Sequence, residues 1–222
     1  MTEQEIIDNI ISMSKDPKIS GIMVQLPLPK HINEQKVISY IPSEKDVDGM
    51  SPYNIGTLAM KHNTPYFVSG TPLACQELIL SCTDSLLNKK VCIIGRSNIV
   101  GMPLNLLLMK YHNAAVSICH SKTPIDQVIK NVGEAEILVA CCGVPNFVKS
   151  EWIKPESIVI DVGITYVPKE NGCEIFGDVT FNEETMSRVS RITPVPGGVG
   201  PMTITMLMNN LTQGWMRENF SF

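Results

Sequence analysis

The chain has 222 residues, 44% of them hydrophobic and 18% charged, with a net charge of −4. That supplies a core for one large or two small domains, and the lack of basic runs or basic–aromatic stripes excludes a nucleic-acid surface. No apolar run reaches the roughly 18 residues of a membrane helix. The acidic start Met1-Thr2-Glu3-Gln4-Glu5 has neither the apolar region of a signal peptide nor the Arg-rich character of a transit peptide, so a cytoplasmic protein is expected.

Ile6, Ile7, Ile10, Ile11 and Met13 fall at helical spacing and predict an amphipathic helix over 3–15, stopped by Asp16-Pro17. Gly21-Ile22-Met23-Val24-Gln25-Leu26 reads as a buried strand ending in a Pro-rich turn. Asn33 can cap a short helix to Tyr40. The stretch from Pro42 to Gly49 is a polar loop. Thr71-Pro72 is an N-cap followed by Pro at the first helical position, opening a helix to about Cys82.

From Leu86 the rhythm changes. Val91–Gly95, Ala115–Cys119, Ile137–Cys141 and Ser157–Gly163 are short apolar runs, and helices are expected at Pro103–Tyr111 and near 124–132 between them. Strands apolar on both faces that alternate with helices imply a parallel sheet covered on both sides. The fold class is therefore α/β, with a Rossmann-like domain over 86–195. A smaller unit over 1–85 precedes it, and a loop and Met- and Leu-rich helix over 196–222 follow it. The seven cysteines form no C-x-x-C pair; small buried thiols are expected, and no metal site.

The turn Gly95-Arg96-Ser97-Asn98-Ile99-Val100-Gly101-Met102-Pro103 joins a strand to a helix, where a dinucleotide pyrophosphate can sit against backbone amides. The spacing is not G-x-G-x-x-G, and a tight turn without ligand gives the same pattern. The next strand ends in His120-Ser121-Lys122-Thr123 instead of the acidic residue that accepts from the ribose of NAD. Arg96, Ser121 and Lys122 can donate to a 2′-phosphate, so NADP is preferred over NAD. Two polar residues elsewhere stand out. Gln25 interrupts an apolar strand, where an amide is costly unless paired. Asp48 lies in a polar loop, as an Asx-turn residue or as an acceptor for two neighbouring N–H groups.

Several segments together resemble the methylenetetrahydrofolate dehydrogenase/cyclohydrolase family. They are Val24-Gln25-Leu26-Pro27-Leu28-Pro29, Glu44-Lys45-Asp46-Val47-Asp48-Gly49, the Gly95–Pro103 turn and His120-Ser121-Lys122-Thr123. Asp161-Val162-Gly163-Ile164, Gly177-Asp178-Val179 and the long run from Ile192 to Thr203 follow in family order. The resemblance implies a folate-binding catalytic domain, a Rossmann NAD(P) domain and a cleft between them. It implies NADP-dependent oxidation of 5,10-methylenetetrahydrofolate to the methenyl form, then hydrolysis to 10-formyltetrahydrofolate, within one-carbon metabolism that feeds purine biosynthesis. A homodimer is expected on the same ground.

The resemblance also assigns roles. Asp48 grips the pterin, and Gln25, flanked by Val24 and Leu26, orients its reacting region. Gly95, Arg96, Ser97 and Ser121 hold the cofactor, and Ile164 packs by the nicotinamide. Pro196, Gly197, Gly198, Val199, Gly200, Pro201, Met202 and Thr203 form a substrate-binding run. The family's Tyr-x-x-x-Lys helix precedes its V-Q-L-P strand by tens of residues; 24 residues precede Gln25 and none forms that motif. The folate domain is thus expected to be incomplete and to lack the lysine that moves protons in hydrolysis. That leaves two readings, an enzyme or a catalytically impaired NADP-binding or dimerisation protein. A third, an unrelated two-domain NADP oxidoreductase, is disfavoured by the motif matches. A further departure is Ser69-Gly70-Thr71-Pro72-Leu73-Ala74, where the family reads P-C-T-P-x-G.

Overall fold

The computed structural model describes residues 1–169 and 172–220. They form two units, Met1–Gly70 with the stretch from Ile204 onward, and Thr71–Thr203. The division falls at Gly70 and Thr203, whereas the change of apolar rhythm suggests 85 and 195.

The first unit begins with α1 (Glu3–Lys15), closed at its start by a capping box. Thr2 Oγ1 accepts the Glu5 amide, and the Glu5 carboxylate accepts the Thr2 amide. α2 (Glu34–Ile38) is capped by Asn33 as expected, though it ends two residues before Tyr40. Ile7 and Ile10 of α1 pack with Ile22, Ile32, Val37 and Ile41 into one buried cluster. The helical spacing of the N-terminal isoleucines therefore reports a real apolar face.

The segment 21–26 is not a strand. Ile22 makes an isolated parallel bridge with Asp46, and the rest is irregular. An apolar run becomes a strand only when a neighbour completes its ladder, and among the described residues that neighbour pairs at Ile22 alone. α3 (Pro52–Ala59) follows, capped by Ser51. The sequence reading missed it because its buried face carries Asn54 and Thr57 beside Leu58.

The second unit opens with α4 (Gly70–Leu80), which starts one residue before the expected Thr71 cap. The strands β1 (Lys90–Ile94), β2 (Ala115–Cys119), β3 (Ile137–Ala140) and β4 (Ile158–Asp161) fall where the apolar runs predict them. Between them lie α5 (Gly101–His112) and α6 (Ile125–Glu134). A hairpin, β5 (Thr165–Lys169) with β6 (Gly172–Phe176), and α7 (Glu183–Arg188) were not foreseen. The two-residue β7 (Arg191–Ile192) completes an all-parallel sheet in the order β2-β1-β3-β4-β7. Cys92, Ile94, Leu138, Ala140 and Val159 of that sheet pack with Val128 and Val132 of α6 in a buried cluster. This is the Rossmann-like architecture that two-sided apolar strands require.

α8 (Val199–Asn219) is longer than its apolar stretch suggests; its first turn belongs to the second unit and the rest to the first. Within the first unit, buried Asn210 donates through Nδ2 to the carbonyls of Val47 and Val68, both at 2.8 Å. No helix among the described residues is long and apolar enough to cross a membrane. Buried thiols are found at Cys75, Cys92 and Cys119, but Cys82 and Cys173 are exposed and Cys141 and Cys142 only partly covered. The two exposed ones lie outside the apolar runs that bury Cys92 and Cys119.

Replacing Asn210 by Ala removes the side-chain donor from the buried Val47 carbonyl and the part-buried Val68 carbonyl. It should lower stability by about 2–3 kcal/mol, read as a shift in the urea unfolding midpoint.

Candidate active site

In the first unit the polar loop is organised by Asp46. This carboxylate is 1% exposed and accepts from the Ser51 amide at 2.7 Å and from Asn54 Nδ2 at 2.9 Å. Asn54 also donates to the Ser43 carbonyl and accepts from the amides of Tyr66 and Phe67. Burial raises the Asp46 carboxyl above the usual range, and the Asn54 and Ser51 bonds oppose that. Asp46 is therefore spent on structure.

Asp48, two residues on, is only half-buried. Burial, then the Asp46 charge, push its carboxyl up to about 6, against an N–H from Gly70 that favours ionisation. A half-covered carboxylate with unused acceptor capacity suits recognition of paired N–H donors. The parallel bridge of Ile22 with Asp46 sends the chain toward Val24–Leu26 and toward Asp48 in the same direction. Gln25 itself is exposed, and its Nε2 donates only to the adjacent Leu26 carbonyl, at 3.1 Å. The expected burial cost of that amide does not arise; its carbonyl oxygen has no bond among the described residues.

In the second unit β1, β2 and β3 end at one level, since Ile94 is paired with Cys119 on one side and with Ala140 on the other. The sheet order reverses at β1, which is where doubly wound sheets open a crevice beyond the strand ends. A cavity of about 440 Å³ lies there, lined by the Gly95–Ser97 turn, by His120, Ser121 and Thr123 after β2, and by the loop after β3. Gly95 has φ +130, and a Cβ on it would stand 2.4 Å from the Cys141 carbonyl oxygen. Only glycine fits this turn. Ser97 Oγ accepts the Val100 amide at 3.1 Å, which leaves its own proton free to donate. Arg96, Ser97 and Ser121 are exposed, and no carboxylate is among the described residues that line the cavity. Cys141 and Cys142 are pushed up to about 12, chiefly by burial and then by the Asp178 carboxylate, so both stay neutral thiols.

The structure thus brings Gly95, Arg96, Ser97 and Ser121 together. Ile164 is 52% exposed and not part of the cavity lining; Lys122 is likewise outside it. Pro196 to Thr203 lie in the second unit as the lead into α8 and its first turn, with Val199 buried. The single proton of Thr203 Oγ1 has two acceptors in reach, Val199 O at 3.1 Å and Thr71 Oγ1 at 3.2 Å. Sequence reasoning assigned no role to Asp161 and Asp178, two buried carboxylates bonded to backbone amides. Both stand in segments that match the family, and Asp161 also ends an apolar run, where an acid is costly unless satisfied. Among the described residues no group of His, Cys, Asp and Glu could hold a metal ion.

Residues 69–219 match the family model of the tetrahydrofolate dehydrogenase/cyclohydrolase NAD(P)-binding domain, and residues 1–48 match that of the catalytic domain. The chain belongs to the tetrahydrofolate dehydrogenase/cyclohydrolase family. The bifunctional protein FolD 1, mitochondrial, of Arabidopsis thaliana is 46% identical over 97% of this chain and 61% of its own length. The bifunctional protein FolD of Phocaeicola vulgatus is 45% identical over 95% of this chain and 72% of its own. A Trypanosoma brucei methylenetetrahydrofolate dehydrogenase-cyclohydrolase, solved with NADP cofactor and inhibitor, is similar in structure. It superposes with a TM-score of 0.92 at 36% identity, covering 100% of this chain and 75% of that one. The chain thus spans about three-fifths of the mitochondrial relative's length.

The raised Asp48 carboxyl has a pH signature. Its unfolded value is about 3.9, so the folded form binds its proton more tightly. The stability linked to that proton is full below about pH 4 and is lost as pH rises through about 6. Asp48→Asn should therefore gain stability relative to the unmodified chain at pH 7 and not at pH 4. Urea midpoints at the two pH values check this; an equal difference at both would refute it.

Proposed function

We propose that this family member binds NADP in the second unit and a reduced folate through Asp48 and Gln25. It oxidises 5,10-methylenetetrahydrofolate to the 5,10-methenyl form; hydrolysis of that form to 10-formyltetrahydrofolate belongs to the full-length enzyme that carries the family's lysine segment. The observation that carries this reading is the carboxylate-free cavity beyond β1, β2 and β3, with Arg96, Ser97 and Ser121 at its wall. A dianionic 2′-phosphate is repelled by the acid that NAD sites place there, and here donors replace it.

The donor set fits the group. Backbone amides of the Gly95 turn, which a Cβ would close off, suit the pyrophosphate. The Arg96 guanidinium and the Ser121 hydroxyl suit the additional phosphate. When bound, the nicotinamide supplies the hydride acceptor. The chain supplies alignment. Asp48 accepts from the exocyclic amine and ring N–H of the pterin, and its ionised form is required for both bonds. Gln25, whose carbonyl oxygen is unengaged, orients the region that carries the one-carbon unit. Hydride transfer needs little more than this positioning, whereas hydrolysis of the methenyl cation also needs a group that moves protons. The resemblance assigns the Pro196–Thr203 run to substrate binding, and Pro196 and Gly197 are exposed. A homodimer belongs to the same reading and is carried by the resemblance.

The test uses the purified full chain with NADP and methylenetetrahydrofolate. Methenyl formation is followed by its near-ultraviolet absorbance and NADP binding by calorimetry. Arg96→Ala should weaken NADP by about ten- to a hundredfold, the effect of losing a charge-assisted bond, while NAD changes by less than about threefold. Asp48→Ala should abolish methenyl formation and leave NADP affinity intact. Equal weakening of NADP and NAD, or no binding of either, would overturn the cofactor assignment.

A further inference from the structure

Two buried carboxylates in the second unit have no part in the chemistry above. Asp161 closes β4, and its Oδ1 accepts from the amides of Gly163 and Asp178, each at 2.9 Å. Its Oδ2 accepts from the Val179 amide, also at 2.9 Å. Asp178, which is 0% exposed, reaches the other way. Its Oδ2 accepts from the amides of Cys142 at 2.6 Å and Gly143 at 2.9 Å. Its Oδ1 is buried and has no partner.

Backbone encloses both groups. A Cβ on Gly163 would stand 2.3 Å from Asp178 Oδ1, and one on Gly177 would stand 2.0 Å from Asp161 Oδ2. Each carboxylate thus packs directly on glycine backbone where no side chain fits. The bonds form a two-step linkage. Asp161 fixes the turn that carries Asp178, and Asp178 fixes the two amides where the chain leaves β3. Cys142 and Val144 of that segment wall the cofactor cavity.

We propose that Asp178 is a positioning residue for the cofactor, acting through the Cys142 and Gly143 backbone, and that Asp161 positions Asp178. The cofactor half of this proposal rests on the NADP reading above; the backbone half does not.

The oxygen inventory gives the two acids different tolerances. Asp178 uses one oxygen, so the single carbonyl of an Asn can accept both amides while its NH₂ takes the place of the unpartnered oxygen. Asp161 uses both oxygens as acceptors. An Asn there must turn its NH₂ toward at least one backbone N–H, whichever way the amide is flipped.

The experiment compares Asp178→Ala, Asp178→Asn and Asp161→Asn in the full chain. Hydrogen exchange at the 142–143 amides is read without cofactor, and NADP dissociation constants are measured separately. Asp178→Ala should speed that exchange by about tenfold or more and weaken NADP by a similar factor, leaving exchange in α1 unchanged. Asp178→Asn should stay within about twofold of the unmodified chain in both readouts. Asp161→Asn should resemble Asp178→Ala despite its matching shape. Should Asp178→Ala fail to fold, the contrast between the two Asn variants still decides. The proposal is overturned if Asp178→Asn is as damaging as Asp161→Asn, or if Asp178→Ala binds NADP normally. If the unmodified chain binds no NADP, the cofactor reading and the role built on it both fail, and the exchange data alone report whether Asp178 holds the loop.

Discussion

Parallel pairing of β1 with both β2 and β3 is the constraint on which the second unit depends. The Gly95 amide donates to the Cys119 carbonyl, and the Cys141 amide donates to the Ile94 carbonyl, both at 2.8 Å. These bonds continue the ladder one residue past the strands and release three loops from one level. The loops then have no choice but to share the space beyond the sheet. A bulky residue at 95 would collide with the Cys141 backbone, so the sheet spacing and the glycine turn specify each other. Parallel strands bury both faces, which is why the sheet end, and not a sheet face, is left for a ligand.

The first unit solves a different problem, that of holding an irregular loop without a sheet. Backbone groups there still need partners, and side chains supply them. Asp46, Asn54 and Asn210 between them satisfy amides or carbonyls of Ser43, Val47, Ser51, Tyr66, Phe67 and Val68. The two acids of the loop differ in consequence. One is enclosed and consumed by this network; the other is half-covered, with its oxygens largely unspent. Their proximity matters electrostatically as well, because the Asp46 charge adds to burial in raising Asp48.

Where apolar pattern and local rule agree, the structure follows the sequence. Val91–Ile94, Ile118, Ile137–Val139 and Ile158–Ile160 form strands, and the isoleucines of α1 form a buried face. The pattern fails where polar side chains do the burying. Asn54 and Thr57 hide α3, and Thr185, capped by Asn182, hides α7. The hairpin Thr165–Phe176 mixes Pro, Lys and Glu with its apolar residues, so no alternation marks it. Conversely, 21–26 looks like a strand because apolar content signals burial without saying whether a partner is present. Of the candidate site, the Gly95 turn and the donors Arg96, Ser97 and Ser121 could be read directly. The depth of Asp46 against Asp48, and the exposure of Gln25, depend on contacts far along the chain that no spacing encodes.

The distribution of sulfur has a practical side. Cys82 and Cys173 face solvent, Cys75, Cys92 and Cys119 are enclosed, and the Cys141–Cys142 pair is held protonated at neutral pH. Thiol reagents attack the deprotonated form. A maleimide dye applied near pH 7 should therefore decorate the two solvent-facing positions and spare the cavity beyond β1, β2 and β3, so that fluorescent tethering or surface immobilisation can be done without blocking that pocket.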